Sequence, residues 1–499
     1  MAWSFAALGI VDLPLLHALS SQSIARMHEF NSQNISNTAW AVASLRFADR
    51  PLLDALASSS IPTMATFDPQ NMANTVWAFA KMSIEDGPLL KSIASEAIAK
   101  IKECGPQELA NIVWSYAALV LLDFPLSQAI ASEAMTKIID FDAQNVANMP
   151  WSFAALVVYD NPLLESLSAQ ALRLMENYTM QELSNTAWAC ATLSGDHSPL
   201  LDSIAASASR SLQSELSHAI QKSMGRLQGD LEAALMFEVN IGELAWSFTF
   251  ISQGDRPLLR AVRDAQLQIG RAFDRNNALW DAHPGVRHPL PLIPPEGVEP
   301  PSIAYHLQGM CLVLKPPGWE VDTEGDSGLR HLSGFLQVAL PLDKRAVALR
   351  PDFGFGFIHR LDTPSSGLIL TATTFEGYCC LEWQMYTYTI GREYFVLGHG
   401  IAKVPQLDVV ERILDTKTAV VSPHGRPAQS HIRFLADIGR GPQPNFANGL
   451  CAVAISIFTG RRHQIRVHMR HSKCSSVADH RYSPGPEVFL APELCSRIQ

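Results

Sequence analysis

Tryptophan recurs at Trp3, Trp40, Trp77, Trp114, Trp151 and Trp188, and every step is 37 residues. Other marks keep the same register. Asn37, Asn74, Asn111, Asn148 and Asn185 stand three residues before a Trp, and Gln33, Gln70, Gln107, Gln144 and Gln181 stand seven before. Pro14, Pro51, Pro88, Pro125, Pro162 and Pro199 stand eleven after. A seventh copy, Trp246 with Pro257, begins 58 residues beyond Trp188, which is one period plus about 21 inserted residues. Chance does not hold several marks in register over so many copies, so the front of the chain is a repeat array. Gln33, Asn37, Trp40 and Ala43 follow i, i+4, i+7, i+10, which is one helical face. The spacing predicts a helix over 33–45, a break at Asp49 and Pro51, and a second helix over 52–64 with Pro suited to its first turn. One such hairpin cannot bury its apolar face alone, but stacked copies can, which predicts an all-α solenoid. The Trp is expected in the core. The Asn is expected to cap or bridge neighbouring repeats, or to face a ligand.

The chain has 499 residues, enough for two or three domains, and its 47% hydrophobic and 17% charged content is globular. The net charge of −10 is unevenly placed. Residues 1–230 hold 12 Lys and Arg against 22 Asp and Glu, while residues 300–499 hold 20 against 17. No broad positive field exists for nucleic acid, so any such binding must be local. No apolar run is long enough to cross a bilayer, and the start MAWSFAALGIVDLPLL lacks a basic n-region, so neither a membrane partner nor a secretory leader is expected. The eight cysteines form no CxxC pair and read as reduced, mostly buried thiols of an intracellular protein, in the cytoplasm or an organelle. Met1 falls inside the first copy, two residues before Trp3, which suggests an incomplete N-terminus.

Seven prolines fall within residues 281–302, DAHPGVRHPLPLIPPEGVEPPS, which reads as a stiff, extended spacer. Beyond it the 37-residue period is gone. The expected organisation is helical repeats over 1–275, a Pro-rich linker over 276–302 and a second domain over 303–499. In that domain Met310–Leu314, Arg392–Leu397 and Ala452–Phe458 read as strands, and Lys315-Pro316-Pro317-Gly318-Trp319 as a turn, which suggests α+β. Asp352-Phe353-Gly354 looks like a kinase element but precedes the HRxD-like stretch, and no phosphate-binding loop accompanies it. His463, His468 and His471 follow no zinc spacing, and on a strand His463 and His468 would point to opposite faces, so no metal is expected.

The segments LVLKPPGWEV, GFIHRLDTPSSGLIL, REYFVL, RPAQSHIRFL, FTGRRHQIRVHM and VADHRY occur in this order over about residues 303–485. Together they resemble the RluA-type pseudouridine synthases. The resemblance implies an α+β synthase fold with a mixed, mainly antiparallel sheet. It also implies isomerisation of uridine in RNA without cofactor or metal, rRNA or tRNA being the expected substrate. On the matching positions it implies Asp362 as the catalytic acid, Arg466 as its cationic partner and Tyr394 as the aromatic on the target base. Arg360 would fill the gap left by the flipped base, with His359, Arg461, His463 and Gln464 in the RNA-binding set. Read from the residues alone, His359 braces the turn, and Lys315 either shapes the fold or touches phosphate. Val488-Phe489-Leu490-Ala491-Pro492 occupies the place of the family's closing strand, where Pro predicts a shortened strand. The repeat resembles the heptatricopeptide and octotricopeptide families of organellar RNA-binding repeats through its NxxWAxAxL core, over about residues 1–260. That implies RNA as the partner of the solenoid, whereas its acidity points to protein. The rival readings of the whole chain are an inactive RNA-binding or chaperone protein and a protein scaffold.

Overall fold

The computed structural model describes residues 2–193, 198–223, 228–251, 256–275, 299–321, 330–341, 344–400, 404–414, 418–422, 425–438, 450–477, 479 and 481–482. They fall into two compact units, Met1–Ala155 with Asp160–Thr387, and Leu156–Tyr159 with Tyr388–Gln499. Of the Pro-rich segment 276–302, residues 276–298 lie outside the described residues, as does Val488–Pro492.

The front of the first unit is an array of helical hairpins: α1 (Ala2–Ala7), α2 (Leu13–Ala25), α3 (Ser32–Ser44), α4 (Arg50–Thr63), α5 (Pro69–Lys81), α6 (Gly87–Ala99), α7 (Pro106–Ala118), α8 (Phe124–Thr136), α9 (Ala143–Ala155), α10 (Asn161–Leu174), α11 (Met180–Leu193), α12 (Ser198–Ser223), α13 (Gln228–Phe250) and α14 (Arg256–Arg275). The hairpin limits fall within two residues of those the period predicts. The inserted residues before the seventh copy lengthen α12 and α13 to 26 and 23 residues. The first helices stack on one another as one layer, α1 on α3 on α5 and onward to α13, and the second helices as another.

The second helices of the first five hairpins start the same way. Asp12, Asp49, Asp86, Asp123 and Asp160 cap α2, α4, α6, α8 and α10, each accepting from the backbone N–H three residues on, with Pro in the first turn. Successive hairpins are also tied by lysines one period apart. Lys100 Nζ donates to the carbonyls of Ala65 and Phe67, and Lys137 Nζ to those of Lys102 and Cys104.

The core of the first-helix layer comes from the residue two after each Trp: Val42, Phe79, Tyr116, Phe153 and Cys190, all at most 7% exposed. The expected burial of the Trp is corrected. Trp3 is 52% exposed, and Trp40, Trp77, Trp114, Trp151 and Trp188 are half-buried. The reason is the stripe itself. Gln, Asn and Trp at i, i+4 and i+7 share one face, and in α3, α5, α7, α9 and α11 that face begins at an exposed Gln. At one step the Asn bridges repeats, where Asn185 Nδ2 donates to Asn148 Oδ1 at 3.5 Å.

The residue ending each first helix adopts a left-handed conformation, again one period apart: Gly9, Arg46, Ser83, Val120 and Val157. Gly9 suits it, whereas Val120 is β-branched at φ 55° and 54% exposed. Removing that strain loses no buried surface, so Val120→Asn is expected to stabilise the protein by about 1 kcal/mol, read as a rise in thermal midpoint.

The first unit continues with β1 (Ser302–Leu307), β2 (Met310–Lys315), β3 (Trp319–Glu320), β4 (Arg330–His331), α15 (Leu332–Ala339), β5 (Gly367–Ala372) and α16 (Phe375–Tyr386). Strands β1, β2 and β5 form an antiparallel sheet in that order, and β3 pairs parallel with β4. The last repeat docks directly on this region. Both oxygens of Asp274 accept from the backbone at the start of α16, from Phe375 N at 2.8 Å and Glu376 N at 3.0 Å. Phe273 packs edge-on against Phe353 and Phe375, and Arg271 pairs with Glu376 at 2.8 Å.

Deeper in this contact Glu238 of α13 hydrogen-bonds Glu382 of α16, and Gln266 donates to Glu238 at 2.9 Å. Burial pushes both carboxyls up, Glu382 the further because Glu238 faces it. A carboxyl with a raised folded pKa holds its proton more tightly in the native state, so stability falls as pH rises above the unfolded value near 4.3. Glu382→Gln keeps the shape and removes one titration. It is expected to raise the thermal midpoint at pH 9 and to change it little at pH 5.

The second unit contains β6 (Arg392–His399), β7 (Gln406–Val409), β8 (Ile413–Leu414), β9 (Val420–Val421), β10 (Ser430–Ile438), β11 (Leu450–Ile457) and α17 (Gln464–His471). An antiparallel sheet runs β6-β11-β10-β7, with Ile432, Val453, Ile455 and Met469 in its core. The segment in which a strand would have set His463 and His468 on opposite faces is instead helical: His463, at φ 53°, is the residue before α17 and His468 lies within it. Among the described residues no helix is long and apolar enough to cross a membrane.

Candidate active site

The antiparallel pairing of β2 with β5 sets Lys315 opposite Gly367. That register brings the end of β2 against the turn that leads into β5, the turn carrying Asp362. Lys315 is fully buried, and its Nζ lies within hydrogen-bonding distance of four carbonyl oxygens: Pro316 and Asp362 at 3.2 Å, Thr363 at 3.1 Å and Ser365 at 2.5 Å. An ammonium has three N–H donors and no acceptor, so it suits a cage of carbonyls and shares its donors among them. The backbone closes the same loop, with Gly318 N donating to Thr363 O and Ser365 N to Asp362 O, both at 2.9 Å.

His359 Nε2 accepts from Leu370 N at 3.1 Å, the bracing role read from the sequence. Gly356, at φ 89°, lies so close to the neighbouring chain that a Cβ there would meet Ala372 O at 2.6 Å. Phe355, Phe357 and Ile369 anchor both sides of the turn in the core with Cys311 and Val313. Asp362 is half-buried and Arg360 exposed. Burial lowers the Lys315 ammonium to about 8, and the Asp362 carboxylate opposes that shift. The turn therefore holds a carboxylate on a rigid backbone with a buried positive charge beside it.

The remaining candidate residues belong to the second unit. Tyr394, in β6, is half-buried against the sheet core and pairs in register with Ile455. Arg466, in the first turn of α17, makes a bidentate pair with Asp479, Nε to Oδ2 at 2.7 Å and Nη2 to Oδ1 at 2.5 Å. Its guanidinium also lies over the Tyr482 ring, 4.8 Å from the centroid. Burial alone would raise Asp479, but the bond and charge of Arg466 hold its carboxyl below the usual range. The buried Tyr482 hydroxyl accepts from Ala419 N at 3.1 Å and lies 2.8 Å from His463 Nδ1.

Gln464 was expected to touch RNA, but it is 2% exposed and its amide is engaged within the fold. Its Nε2 donates to Gln429 O and Ser430 Oγ, while its Oε1 accepts from Thr459 Oγ1 and Arg461 N. It holds the turn before α17. Arg461 donates to Pro427 O at 3.0 Å, and burial lowers its guanidinium to about 10. His468 is fully buried between Ser430 Oγ and Glu411 O, and burial lowers its pKa, which favours the neutral imidazole. Among the described residues no three His, Cys, Asp or Glu side chains are grouped to hold a metal.

Three contributors escaped the sequence reading. The role of Lys315 was left open between two possibilities. Asp479 and Tyr482 stood inside the VADHRY segment without an assigned part, and that segment was the available signal.

Residues 310–471 match a family model described as RNA pseudouridylate synthase. Residues 1–129 and 84–230 match one described as RNA-editing substrate-binding complex 6 protein. The chain is 34% identical over 130 residues to ribosomal large subunit pseudouridine synthase D of Neisseria meningitidis serogroup A, covering 25% of this chain and 32% of that protein. It is 30% identical over 205 residues to the protein of the same name from Pasteurella multocida, covering 40% and 59%. With tRNA pseudouridine synthase C of Haemophilus ducreyi it shares 30% over 132 residues, covering 25% and 54%. The chain thus spans between a third and three fifths of the length of these relatives.

Proposed function

We propose, from the premise that the chain carries a C-terminal RluA-type pseudouridine synthase domain behind helical repeats, that the protein isomerises uridine to pseudouridine in RNA. In this reading Asp362 is the catalytic acid. Its ionised carboxylate acts at the sugar carbon as the bond to uracil N1 breaks, either as nucleophile or as a countercharge. The uracil turns and rejoins through C5, the proton on C5 is lost to a base, and N1, freed from the sugar, takes up a proton, so the net change moves one proton from C5 to N1. Atoms balance without any co-reactant. Tyr394 stacks on the base, Arg466 supplies positive charge, and Arg360 fills the space the extruded nucleotide leaves. The repeats select the substrate RNA or a partner that brings it.

The observation that carries this reading is the Lys315 cage, which fixes the turn backbone at Asp362, Thr363 and Ser365 and sets a buried cation beside the carboxylate. A carboxylate held in place by this cage is the preorganised negative charge that a developing sugar cation requires. The names of the relatives include both ribosomal and transfer RNA, and either class is a candidate substrate. The test is tritium release from rRNA and tRNA labelled at uridine C5. The expected result is release by the purified full chain. Folded, RNA-binding protein that releases none from either pool would overturn the reading.

A further inference from the structure

The open face of the first-helix layer repeats one chemistry. Each of α3, α5, α7, α9 and α11 presents an exposed Gln, a half-buried Asn and a half-buried Trp along a single stripe. Where adjacent indoles meet, their ring centroids are 6.4 Å apart for Trp3 and Trp40 and 6.0 Å for Trp151 and Trp188. Asn148 and Asn185 lie amide to amide. Over α3 to α11 the stripe therefore forms a row of side-chain amides flanked by indoles, while the seventh copy carries Val239 and Glu243 in place of the Gln and Asn.

We propose that this row binds an extended polypeptide segment rich in Lys or Arg. Three features select that occupant. A row whose amides never change along its length suits a ligand whose chemistry never changes either, and a polypeptide main chain offers N–H and C=O at every residue to amides that donate and accept. An extended chain rises about 3.3 Å per residue, so two residues span about 6.6 Å and alternate side chains share one face. At the two ends of the row, where Trp3 meets Trp40 and Trp151 meets Trp188, the indole spacing of 6.4 and 6.0 Å matches that of two alternate side chains. Charge then decides between macromolecules. Residues 1–230 hold 22 Asp and Glu against 12 Lys and Arg. Asp68, Glu108, Asp142 and Glu182 stand at the starts of the helices bearing the stripe. A phosphate backbone needs cations along its track. Four residues after the Trp the row carries Ser44, Lys81, Ala118, Ala155 and Thr192, a single cation. Cationic side chains gain from both the indole faces and the acidic surroundings.

Binding is read without turnover, so this proposal and the synthase reading stand or fall separately. The probe is a fluorescein-labelled peptide of about twelve residues alternating Lys and Ser, titrated with the full chain by anisotropy. A Kd on the order of 10 μM is expected. A matched peptide alternating Gln and Ser is expected to bind at least about tenfold more weakly. The combined variant Asn74→Ala, Asn111→Ala, Asn148→Ala is expected to lose about tenfold or more in affinity. Because those amides are half-buried, a second variant changes the exposed Gln70, Gln107 and Gln144 to Ala, with an unchanged thermal midpoint and a weaker Kd expected. Three results would overturn the proposal: no binding of the Lys peptide by the unaltered chain, equal binding by a folded Gln variant, or a labelled oligouridine that outcompetes the peptide and loses affinity in the same variants.

Discussion

Asp362→Asn should abolish tritium release while leaving the fold and RNA binding intact. The substitution is nearly isosteric, and the cage bonds at this position go to the main-chain oxygen of Asp362, so Lys315 keeps its partner. What disappears is the negative charge and the nucleophilic oxygen. A loss of at least about three orders of magnitude in rate is expected, roughly 4 kcal/mol of barrier at about 1.36 kcal/mol per tenfold. The checks are single-turnover release from labelled RNA, a thermal midpoint within about a degree of the unaltered chain, and an unchanged RNA Kd. Release by the variant at even a tenth of the unaltered rate would remove Asp362 from the chemistry.

Lys315→Met should have the second-largest effect, on stability and rate together. Methionine fills a similar volume but removes the ammonium donor from the carbonyls of Pro316 and Ser365, and leaves those of Asp362 and Thr363 with only their backbone donors, Ser365 N and Gly318 N. Each unmet buried acceptor costs about 1–3 kcal/mol, and partial relaxation reduces the sum, so a loss of about 3–5 kcal/mol is expected in denaturant unfolding. The rate should fall about 100-fold even where the variant remains folded, because the turn bearing Asp362 loses both its clamp and its charge. Lys315→Arg should not rescue, since a fully buried site shaped for an ammonium has no room for a planar guanidinium.

The pH dependence separates this role from mere packing. With a folded value of about 8 against about 10.4 unfolded, Lys315 binds its proton less tightly in the native state. Its contribution to stability therefore rises between about pH 8 and 10.4, while the positive charge beside Asp362 is lost and activity falls. Both trends should be missing from the Met variant. A rate that stays flat from pH 7 to 9.5 in the unaltered chain would count against the charge at Lys315 having a part in catalysis.

The repeat was legible because it is local. A 37-residue period, a Pro eleven after each Trp and an apolar stripe are properties of short segments, and the hairpins of the solenoid begin and end close to where those marks predict. Which way a stripe faces is not local. Trp40 and Val42 are two residues apart on one helix, and only the stacking of neighbouring repeats decides that Val42 is buried and Trp40 half-buried. The segment after Gly460 was misread for a similar reason. The single left-handed residue His463 turns a strand reading into the start of α17, and that turn is held by Gln464 and Thr459 together with Ser430, drawn from another stretch of chain.

The candidate site divides along the same line. By itself the sequence determined the solenoid, the synthase-type motifs and the identity of Asp362, Tyr394 and Arg466 as the residues to examine, because each is carried by a contiguous pattern. Tertiary structure alone decided that Lys315, 47 residues before Asp362, fixes the turn carrying that residue, and that Arg466 is gripped by Asp479 and covered by Tyr482. It alone decided that the last repeat docks on α16 through Asp274 and the Glu238–Glu382 pair. The physical reason is that strand register and burial bring distant donors and acceptors together and desolvate them. The spacing of residues along the chain carries no record of which buried groups will need one another.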